Sequence, residues 1–212
     1  MILNYTNKTN QELERLILAK DPAAMHELAR RLVQGEGIAE DNKRGLDLAK
    51  KSESLGYAPA DTVLGYCYFY GKGVPEDKQK GFDYFHSGAV KGHDAAQYNM
   101  GIAYERGTVI AQDYELALQW YQKAADQKFA KAFYKIGYFY ENGLGVSKDV
   151  TKAFTYYEKA ANLGYIKAEV EVGKGYLTGR GLLRDLNKAK EYLGRAAAKG
   201  DRIAARVLRE IE

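Results

Sequence analysis

The sequence is poor in the residues that build disulfides and metal centres. It has one cysteine, Cys67, and three histidines among 212 residues. A single cysteine has no partner for an internal disulfide, as is usual in the reducing cytosol. His26, His86 and His93 lack the spacing of zinc ligands, and no cysteine or carboxylate cluster accompanies them in the sequence. We therefore predict a protein without a metal ion or any other cofactor.

The sequence also lacks the signals that direct a chain to or across a membrane. Its opening segment, MILNYTNKTNQELERL, has no basic n-region, no apolar core and no small-residue cleavage site. No apolar stretch approaches the roughly 20 residues that span a bilayer. We expect a cytoplasmic protein that does not insert into membranes. Export by a specialised secretion system would leave no mark in the sequence, so that route stays open.

A strong charge of one sign is absent as well. The 32 Lys and Arg residues against 28 Asp and Glu residues leave a net charge of +4. Residues 166–212 hold 11 basic and 7 acidic residues, so this last stretch contains the whole excess. Nucleic-acid binding usually shows a basic stripe and a reading motif, and neither is present, so we predict no nucleic-acid partner. A local excess of this size can instead steer an acidic protein.

What the sequence does contain is a repeat with a period of 36 residues, which governs the fold of the whole chain. Three columns of identical residues follow this period without an insertion or deletion. They are Asp41, Asp77, Asp113, Asp149 and Asp185; Ala24, Ala60, Ala96, Ala132 and Ala168; and Gly35, Gly71, Gly107, Gly143 and Gly179. An aliphatic column (Ile38, Val74, Ile110, Val146, Leu182) and an aromatic column (Tyr68, Tyr104, Tyr140, Tyr176) indicate core positions.

Each repeat is predicted to contain two helices. Apolar and small residues recur at helical spacing in both halves of a repeat, and a Gly-x-Gly pair such as Gly71 and Gly73 separates the halves. The Asp that recurs every 36 residues follows this glycine pair, and its carboxylate can cap the second helix. Gly137 and its equivalents lie within the first helix, where glycine costs about 1 kcal/mol relative to alanine. A closely crossing partner helix would explain that cost.

These columns resemble the Sel-one-like repeat, a relative of the tetratricopeptide repeat. In the fourth repeat the resemblance rests on Ala132, Ile136, Gly137, Tyr140, Gly143, Gly145, Val146, Asp149, Lys152, Ala153, Tyr156, Tyr157, Ala160, Ala161 and Gly164. The resemblance covers residues 22–201. It implies an all-α fold, a right-handed superhelical solenoid of five 36-residue helix-turn-helix repeats with capping helices at both ends.

The boundaries follow from the columns. We predict one continuous domain, with an N-terminal capping helix in residues 1–21, a C-terminal capping helix in residues 202–212, and repeats at 22–57, 58–93, 94–129, 130–165 and 166–201. Thr9 and Glu12 form a capping-box pattern that begins the first helix. The third repeat departs from the consensus, because Val109 and Lys128 replace turn glycines. We expect these turns either to differ locally or to be strained.

Several patterns that suggest chemistry have simpler explanations. Gly71-x-Gly73 follows a helix and not a strand, so we interpret it as a turn rather than a phosphate loop. Cys67 lies between two tyrosines of a helix with no nearby His, which indicates an inert thiol rather than a nucleophile. One Asp per repeat is a capping pattern and not a calcium cage. Trp120 shares its column with Tyr84 and Tyr156, and we assign it to the core.

Positions that the repeat does not dictate are the expected binding positions. By resemblance to tetratricopeptide repeats, first helices line a concave groove. We predict that this partner-binding groove is formed by Arg30, Tyr66, Phe69, Tyr70, Tyr98, Arg106, Lys131, Tyr134, Tyr138, Lys167 and Lys174. The same columns add Val33, Thr62, Glu105, Glu141 and Leu177. Tyrosine and arginine are common interface anchors, although tyrosines that only fill space between helices would give the same pattern.

The resemblance implies a non-catalytic adaptor, scaffold or regulator that binds a protein or peptide. The lysines of the last repeats predict a partner that is acidic at that end. A bacterial immunity protein that inhibits a cognate toxin is the alternative function. A hydrolase is a further alternative. Family members described as hydrolases have paired cysteines within each repeat, and this chain lacks such pairs. Because no acid, base and nucleophile converge, we predict that the protein is not an enzyme.

Overall fold

The computed structural model describes residues 5–211, and every regular element in that range is helical. A single 3₁₀ turn, Tyr5–Asn7, precedes the α-helices. The helices are α1 Asn10–Leu18, α2 Pro22–Gln34, α3 Asn42–Ser54, α4 Ala60–Tyr70, α5 Lys78–Val90, α6 Asp94–Arg106, α7 Tyr114–Asp126, α8 Ala130–Asn142, α9 Val150–Asn162, α10 Ile166–Thr178, α11 Leu186–Ala198 and α12 Arg202–Ile211. The prediction of an all-α helical repeat fold is confirmed.

Each 36-residue repeat contains one first helix and one second helix. The first helices are α2, α4, α6, α8 and α10, and the second helices are α3, α5, α7, α9 and α11. The pairs α2–α3, α4–α5, α8–α9 and α10–α11 make the most extensive packing contacts of the chain. α1 packs on α2, and α12 packs on α11. The regular pairing follows from the sequence, because each repeat places its apolar residues in the same two helical stripes.

The turn between the two helices of a repeat has the predicted chemistry. Gly71 ends α4 with φ +65°, and Gly73 has φ +76°; both angles are in the left-handed region that glycine adopts without strain. Asp77 then caps α5, and its Oδ1 accepts a hydrogen bond from the Lys80 amide at 2.9 Å. The same cap recurs at Asp41, Asp113, Asp149 and Asp185. Turn and cap together fix where each second helix begins.

The mid-helix glycines lie where two helices cross closely. A Cβ atom added at Gly137 would come 2.7 Å from the Tyr157 ring and 2.9 Å from the Ala153 carbonyl oxygen. At Gly65 the added atom would meet the Phe85 ring at 2.5 Å and the Gly81 oxygen at 3.0 Å. No real Cβ atom tolerates contacts this short. Glycine is therefore required at these positions by the second helix of the same repeat, as predicted.

The third repeat contains one strained turn and one turn of different conformation, the two outcomes expected from its sequence. Lys128, which replaces a glycine at the end of α7, has φ +64° and accepts the strained left-handed conformation. Val109 is not among the residues with positive φ, so its turn differs from the Gly-x-Gly turns of the other repeats. Apart from Lys128, the only other non-glycine residue of the described range with positive φ is Lys20, which follows α1.

The chain divides into two compact units, and α6 crosses the division. Unit 1 runs to Ala103, and its core is formed by α1 to α4, with Leu13, Leu28 and Leu64 fully buried. Unit 2 begins at Tyr104; its cores include Phe154 and Tyr157 on α9 and Leu193 on α11.

Helices α1 and α12 lie near the two limits of the described range. Thr9 and Glu12 form the predicted capping box at the start of α1, where the Glu12 amide donates to Thr9 Oγ1 at 3.2 Å. At the other end, Ala204 of α12 is fully buried in the core that contains Leu193. Residues 1–4 and 212 of the predicted capping segments lie outside the described residues.

The assignment of Trp120 to the core is wrong. It is half-buried, and Lys123 Nζ lies 3.8 Å from the centre of its ring. The tyrosines of the same column are half-buried too, and each stacks on a first-helix tyrosine of its own repeat, as Tyr156 does on Tyr140 with ring centres 5.6 Å apart. This column therefore lies at the edge of the helix pair and not inside the core.

Candidate functional site

The predicted groove residues of unit 1 lie on α2, α4 and α6. We call Arg30, Tyr66, Tyr70 and Tyr98 the first-helix face of unit 1. Tyr66 and Tyr70 are one turn apart on α4, and their rings are 4.7 Å apart. Tyr70 is 42% exposed, whereas Tyr66 and Tyr98 are half-buried. Two adjacent aromatic rings with accessible edges offer a contact area of the kind that protein interfaces favour.

Arg30 is less available than its exposure suggests. Its guanidinium Nη2 lies 2.9 Å from Glu27 Oε1, and it also bonds Glu36. Burial opposes the charge, but the hydrogen bonds to Glu27 and Glu36 outweigh it and raise the pKa of Arg30. Arg30 is thus held in a local network whose carboxylates neutralise its charge.

Phe69 does not belong to the accessible surface. It is 7% exposed, its ring packs 5.9 Å from that of Phe85, and its backbone lies over Gly81. Val33, one repeat earlier in the same column, is buried as well. This column faces the second helix of its own repeat, and so Phe69 contributes to packing. We leave it out of the first-helix face.

Unit 2 presents the second set of predicted residues on α6, α8 and α10. We call Arg106, Lys131, Tyr134, Tyr138, Lys167 and Lys174 the first-helix face of unit 2. Tyr138 is 39% exposed. Tyr134 is half-buried between the rings of Tyr157 and Tyr165, at 5.2 and 5.3 Å. Burial, together with the nearby Glu171 charge, raises the pKa of Tyr134 to about 12, so its hydroxyl stays a hydrogen-bond donor at neutral pH.

Most cations of this face are accessible to solvent. Lys131, Lys167 and Arg106 are exposed. Lys174 is partly exposed and lies 3.6 Å from Glu171 Oε1, a weak ion pair on the same helix. The unit 2 face therefore combines aromatic area with accessible positive charge.

The structure adds two cations that the sequence did not point to. Lys135 Nζ lies 2.7 Å from Glu105 Oε1 and 5.7 Å from the centre of the Tyr138 ring. Arg180 Nη2 lies 2.9 Å from Glu141 Oε1, and its side chain is 61% exposed. Neither residue belongs to a basic column of the repeat. Both become visible only because a carboxylate of the preceding repeat lies beside them.

Those carboxylates, Glu105 and Glu141, replace the apolar residues of the Val33 and Phe69 column. Glu141 accepts a hydrogen bond from the Tyr157 hydroxyl at 2.9 Å, and Glu105 accepts one from Tyr121. Each is mostly buried and bound by a cation of the next repeat. In repeats three and four the contact between first and second helix therefore includes a buried polar position, whose carboxylate also ties successive repeats of unit 2 together.

A further cluster lies in unit 1 around His26 and His93. The ring of His26 packs against Tyr57 at 5.5 Å, in the two columns that hold Tyr134 and Tyr165 in the fourth repeat. His26 Nδ1 and His93 Nε2 are shielded from solvent without a hydrogen-bond partner. Burial lowers the pKa of His26 to about 4 and also lowers that of His93. Both imidazoles are therefore neutral at pH 7.

The remaining groups that could take part in chemistry show little reactivity. Cys67 is fully buried, and burial raises the pKa of its thiol to about 11, so the thiolate is scarce at neutral pH. Across residues 5–211, no three His, Cys, Asp or Glu side chains lie close enough to hold a metal ion. Within the same residues, no helix has the length and apolar character needed to span a membrane.

The sequence and the fold both match known repeat proteins. The Sel1 repeat model matches residues 22–57, 58–93, 94–129, 130–165 and 166–201. A Sel1 repeat protein from Oxalobacter formigenes is 31% identical, with a TM-score of 0.80, over 96% of this chain and 89% of that one. A protective antigen present in uropathogenic Escherichia coli strains is 26% identical, with a TM-score of 0.61, over 97% of this chain and 52% of that one.

A third similar structure shares the fold at lower sequence identity. An immunity protein from Pseudomonas aeruginosa is 21% identical, with a TM-score of 0.68, over 89% of this chain and 72% of that one. Comparison with curated proteins gives no match.

Proposed function

The chain belongs to the Sel1 repeat family, and from this premise we propose that it is a non-catalytic adaptor that binds an acidic protein segment on its first-helix faces. Sel1 repeat proteins generally mediate protein–protein interactions. The observation that carries the specific proposal is the unit 2 face. There, Tyr138 is exposed one helical turn after Tyr134, and Lys131 on the same helix and Lys167 on α10 are exposed as well.

The aromatic residues supply the anchor in this proposal. A tyrosine offers a large apolar ring with a hydroxyl that can bond a partner, at a low cost in side-chain entropy. Tyr134 is already positioned by Tyr157 and Tyr165, so little conformational freedom is lost there on binding. Tyr70 offers the equivalent ring in unit 1.

The cations supply the selectivity for acidic segments. Two carboxylates of this region, Glu105 and Glu141, are already engaged by Lys135 and Arg180 and by tyrosine hydroxyls, and Glu171 forms the weak pair with Lys174. Lys131 and Lys167 are exposed, so an incoming carboxylate meets positive charge first. Opposite charges at an interface raise the association rate and reject basic competitors.

The first test removes the exposed rings and leaves the packed ones in place. The partner is first captured from source-cell lysate with the tagged chain and identified by mass spectrometry. We then expect Tyr70→Ala with Tyr138→Ala to weaken its binding, measured by calorimetry, by roughly 30-fold or more for each residue that acts as a hot spot. Tyr134 is not replaced in this variant, because alanine there would remove packing against Tyr157 and Tyr165.

Leu163→Ala is the matched control, since Leu163 is 45% exposed but lies at the end of a second helix. It should bind the partner as the unchanged chain does. Equal affinity of the double tyrosine variant and this control would move the binding site to another surface.

Inhibition of a cognate toxin is the second candidate function. The only observation that favours it is the shared fold with an immunity protein, and a fold can serve many functions. An inhibitor should form a stoichiometric complex of very high affinity and abolish the activity of the captured enzyme. An adaptor should leave its partner active, so an activity assay of the captured partner separates the two functions.

A further inference from the structure

The loop between α10 and α11 carries the most exposed large apolar side chain of the described residues. Leu183 is 91% exposed, and Leu186, at the first position of α11, is 46% exposed. Arg180 and Arg184 flank Leu183, and both are exposed. We call residues 179–186 the fifth-repeat loop. An exposed apolar side chain with exposed arginines close to it in sequence is a combination found at interfaces.

The backbone of the loop does not require this leucine. Gly179 and Gly181 adopt the same left-handed conformation as Gly35 and Gly37, and Asp185 caps its helix as Asp41 does. Leu182, in the aliphatic column of the repeat, already supplies the apolar contact with the core. The Leu183 position is occupied by small or turn residues in the other repeats: Ala39, Pro75, Ala111 and Ser147.

The charge of the loop is reversed relative to the first repeat. Glu36 and Glu40 occupy the positions of Arg180 and Arg184. Arg180 is held by Glu141 at 2.9 Å, and Lys188, in the first turn of α11, lies 5.0 Å from the centre of the Tyr176 ring. These contacts hold the cationic groups of Arg180 and Lys188 in defined directions. Fixed cations suit a partner with carboxylates at fixed positions better than a fluid layer of lipid headgroups.

We propose that the fifth-repeat loop is a second docking surface, which binds an acidic amphipathic helix of a protein partner. Such a helix presents a row of apolar side chains with carboxylates on either side. The row would cover Leu183 and Leu186, while the carboxylates meet Arg184 and the accessible edge of Arg180. Arg180, which pairs with Glu141, borders both this surface and the unit 2 face, whereas Leu183, Arg184 and Leu186 belong to the loop alone.

The test uses a defined helical peptide and residues borrowed from the first repeat. The probe is a synthetic 18-residue peptide with leucines at every third or fourth position, flanked by glutamates, with alanine elsewhere. A second peptide carries lysines in place of the glutamates. Binding to the full chain is measured by fluorescence anisotropy at low and physiological salt. We expect the glutamate peptide to bind at least tenfold more tightly than the lysine peptide.

The variants Leu183→Ala and Arg184→Glu introduce the residues that the first repeat has at these positions. Each should weaken binding of the glutamate peptide by at least tenfold, with an unchanged melting temperature, because the same backbone accepts these residues in the first repeat. Leu18→Ala, at an 86% exposed leucine outside the loop, should bind as the unchanged chain does.

Three results would overturn the proposal. The first is equal binding of both peptides. The second is loss of glutamate-peptide binding in Tyr138→Ala but not in Leu183→Ala, which would place the peptide on the unit 2 face. The third is Leu183-dependent binding to phosphatidylserine vesicles without binding of the glutamate peptide, which would identify the loop as a lipid contact.

Discussion

Some residues of this chain differ from those at the same position of the other repeats and have different surroundings. His26 is an example, because its column holds Thr62, Tyr98, Tyr134 and Val170 in the later repeats. Its imidazole faces Tyr57, and Glu27, Arg30 and His93 are close enough to affect its charge. A histidine shielded in this way resists protonation, because the protonated ring would lose its hydration and face the like charge of Arg30.

We expect this histidine to make the stability of the protein depend on pH. The pKa of His26 is about 4 in the folded chain and ordinarily 6.5, so between these values the unfolded chain binds the extra proton. Stability should therefore fall as the pH drops from about 6.5 to 4, by up to about 3 kcal/mol from this group. Urea unfolding at pH 7.5, 5.5 and 4 measures the change.

The variant His26→Tyr isolates this contribution. It recreates the Tyr134 and Tyr165 pair at the equivalent positions of the first repeat, and it removes the titrating group. Acid sensitivity that comes from carboxylates, such as Glu27, should remain in the variant. Glu27 is mostly buried, but hydrogen bonds from Arg30 and Arg31 outweigh that burial and lower its pKa. An identical loss of stability in both proteins would show that His26 protonation contributes nothing.

At the scale of the helix, glycine has opposite effects on stability at two positions that both lie inside a helix. Gly137 and Gly194 both lie inside helices. A Cβ atom at Gly137 would strike the Tyr157 ring, whereas one at Gly194 would meet nothing within 4 Å. The first glycine permits two helices to cross, and the second only lowers helix propensity.

We therefore predict opposite effects of the same substitution. Gly137→Ala should destabilise the protein by about 1 to 3 kcal/mol through overpacking, even though alanine favours a helix. Gly194→Ala should stabilise it by about 1 kcal/mol. The urea midpoints of the two variants, measured beside the unchanged protein, give both signs. A stabilised Gly137→Ala variant would mean that α8 and α9 do not cross as closely as described.

At the scale of the whole molecule, charge is distributed unevenly along the repeats. The loop of the first repeat carries Glu36 and Glu40, and that of the fifth carries Arg180 and Arg184. The whole net charge of +4 resides in residues 166–212. Two cations of this stretch, Arg195 and Lys199, pair with the buried Glu169 and so join the end of α11 to α10, but the gradient as a whole also acts beyond these contacts. It can orient an incoming charged partner.

Association with an acidic partner should accordingly slow as salt is added. Between about 0.05 and 0.5 M salt the Debye length shrinks from about 14 to 4 Å, and the association rate should fall by at least roughly tenfold. Stopped-flow mixing with the captured partner measures this rate. Lys167→Gln combined with Arg184→Gln should flatten the dependence, while Lys8→Gln, near the other end, should not. A rate independent of salt would exclude electrostatic steering.

The sequence by itself determined the features that depend on neighbouring positions along the chain. The 36-residue period can be seen in the sequence directly. Local backbone geometry and hydrogen bonding then account for the left-handed glycine turns, the Asp caps and the capping box at Thr9. The need for a close crossing at Gly137 also followed, because glycine inside a helix has no local advantage. The burial of Phe69 and the partial exposure of Trp120 did not follow, since one apolar residue looks like another until its neighbours are in place.

Only the tertiary structure decided which charges and rings meet. Lys135 and Arg180 lie far in sequence from Glu105 and Glu141, and the pairs form because successive repeats lie side by side in unit 2. The contact of His26 with Tyr57 within the first repeat, and the exposure of Leu183 on a loop whose backbone is shared with other repeats, also depend on how the chain packs. Periodicity specifies the helices and their turns, but side chains at variable positions acquire partners only when the helices pack.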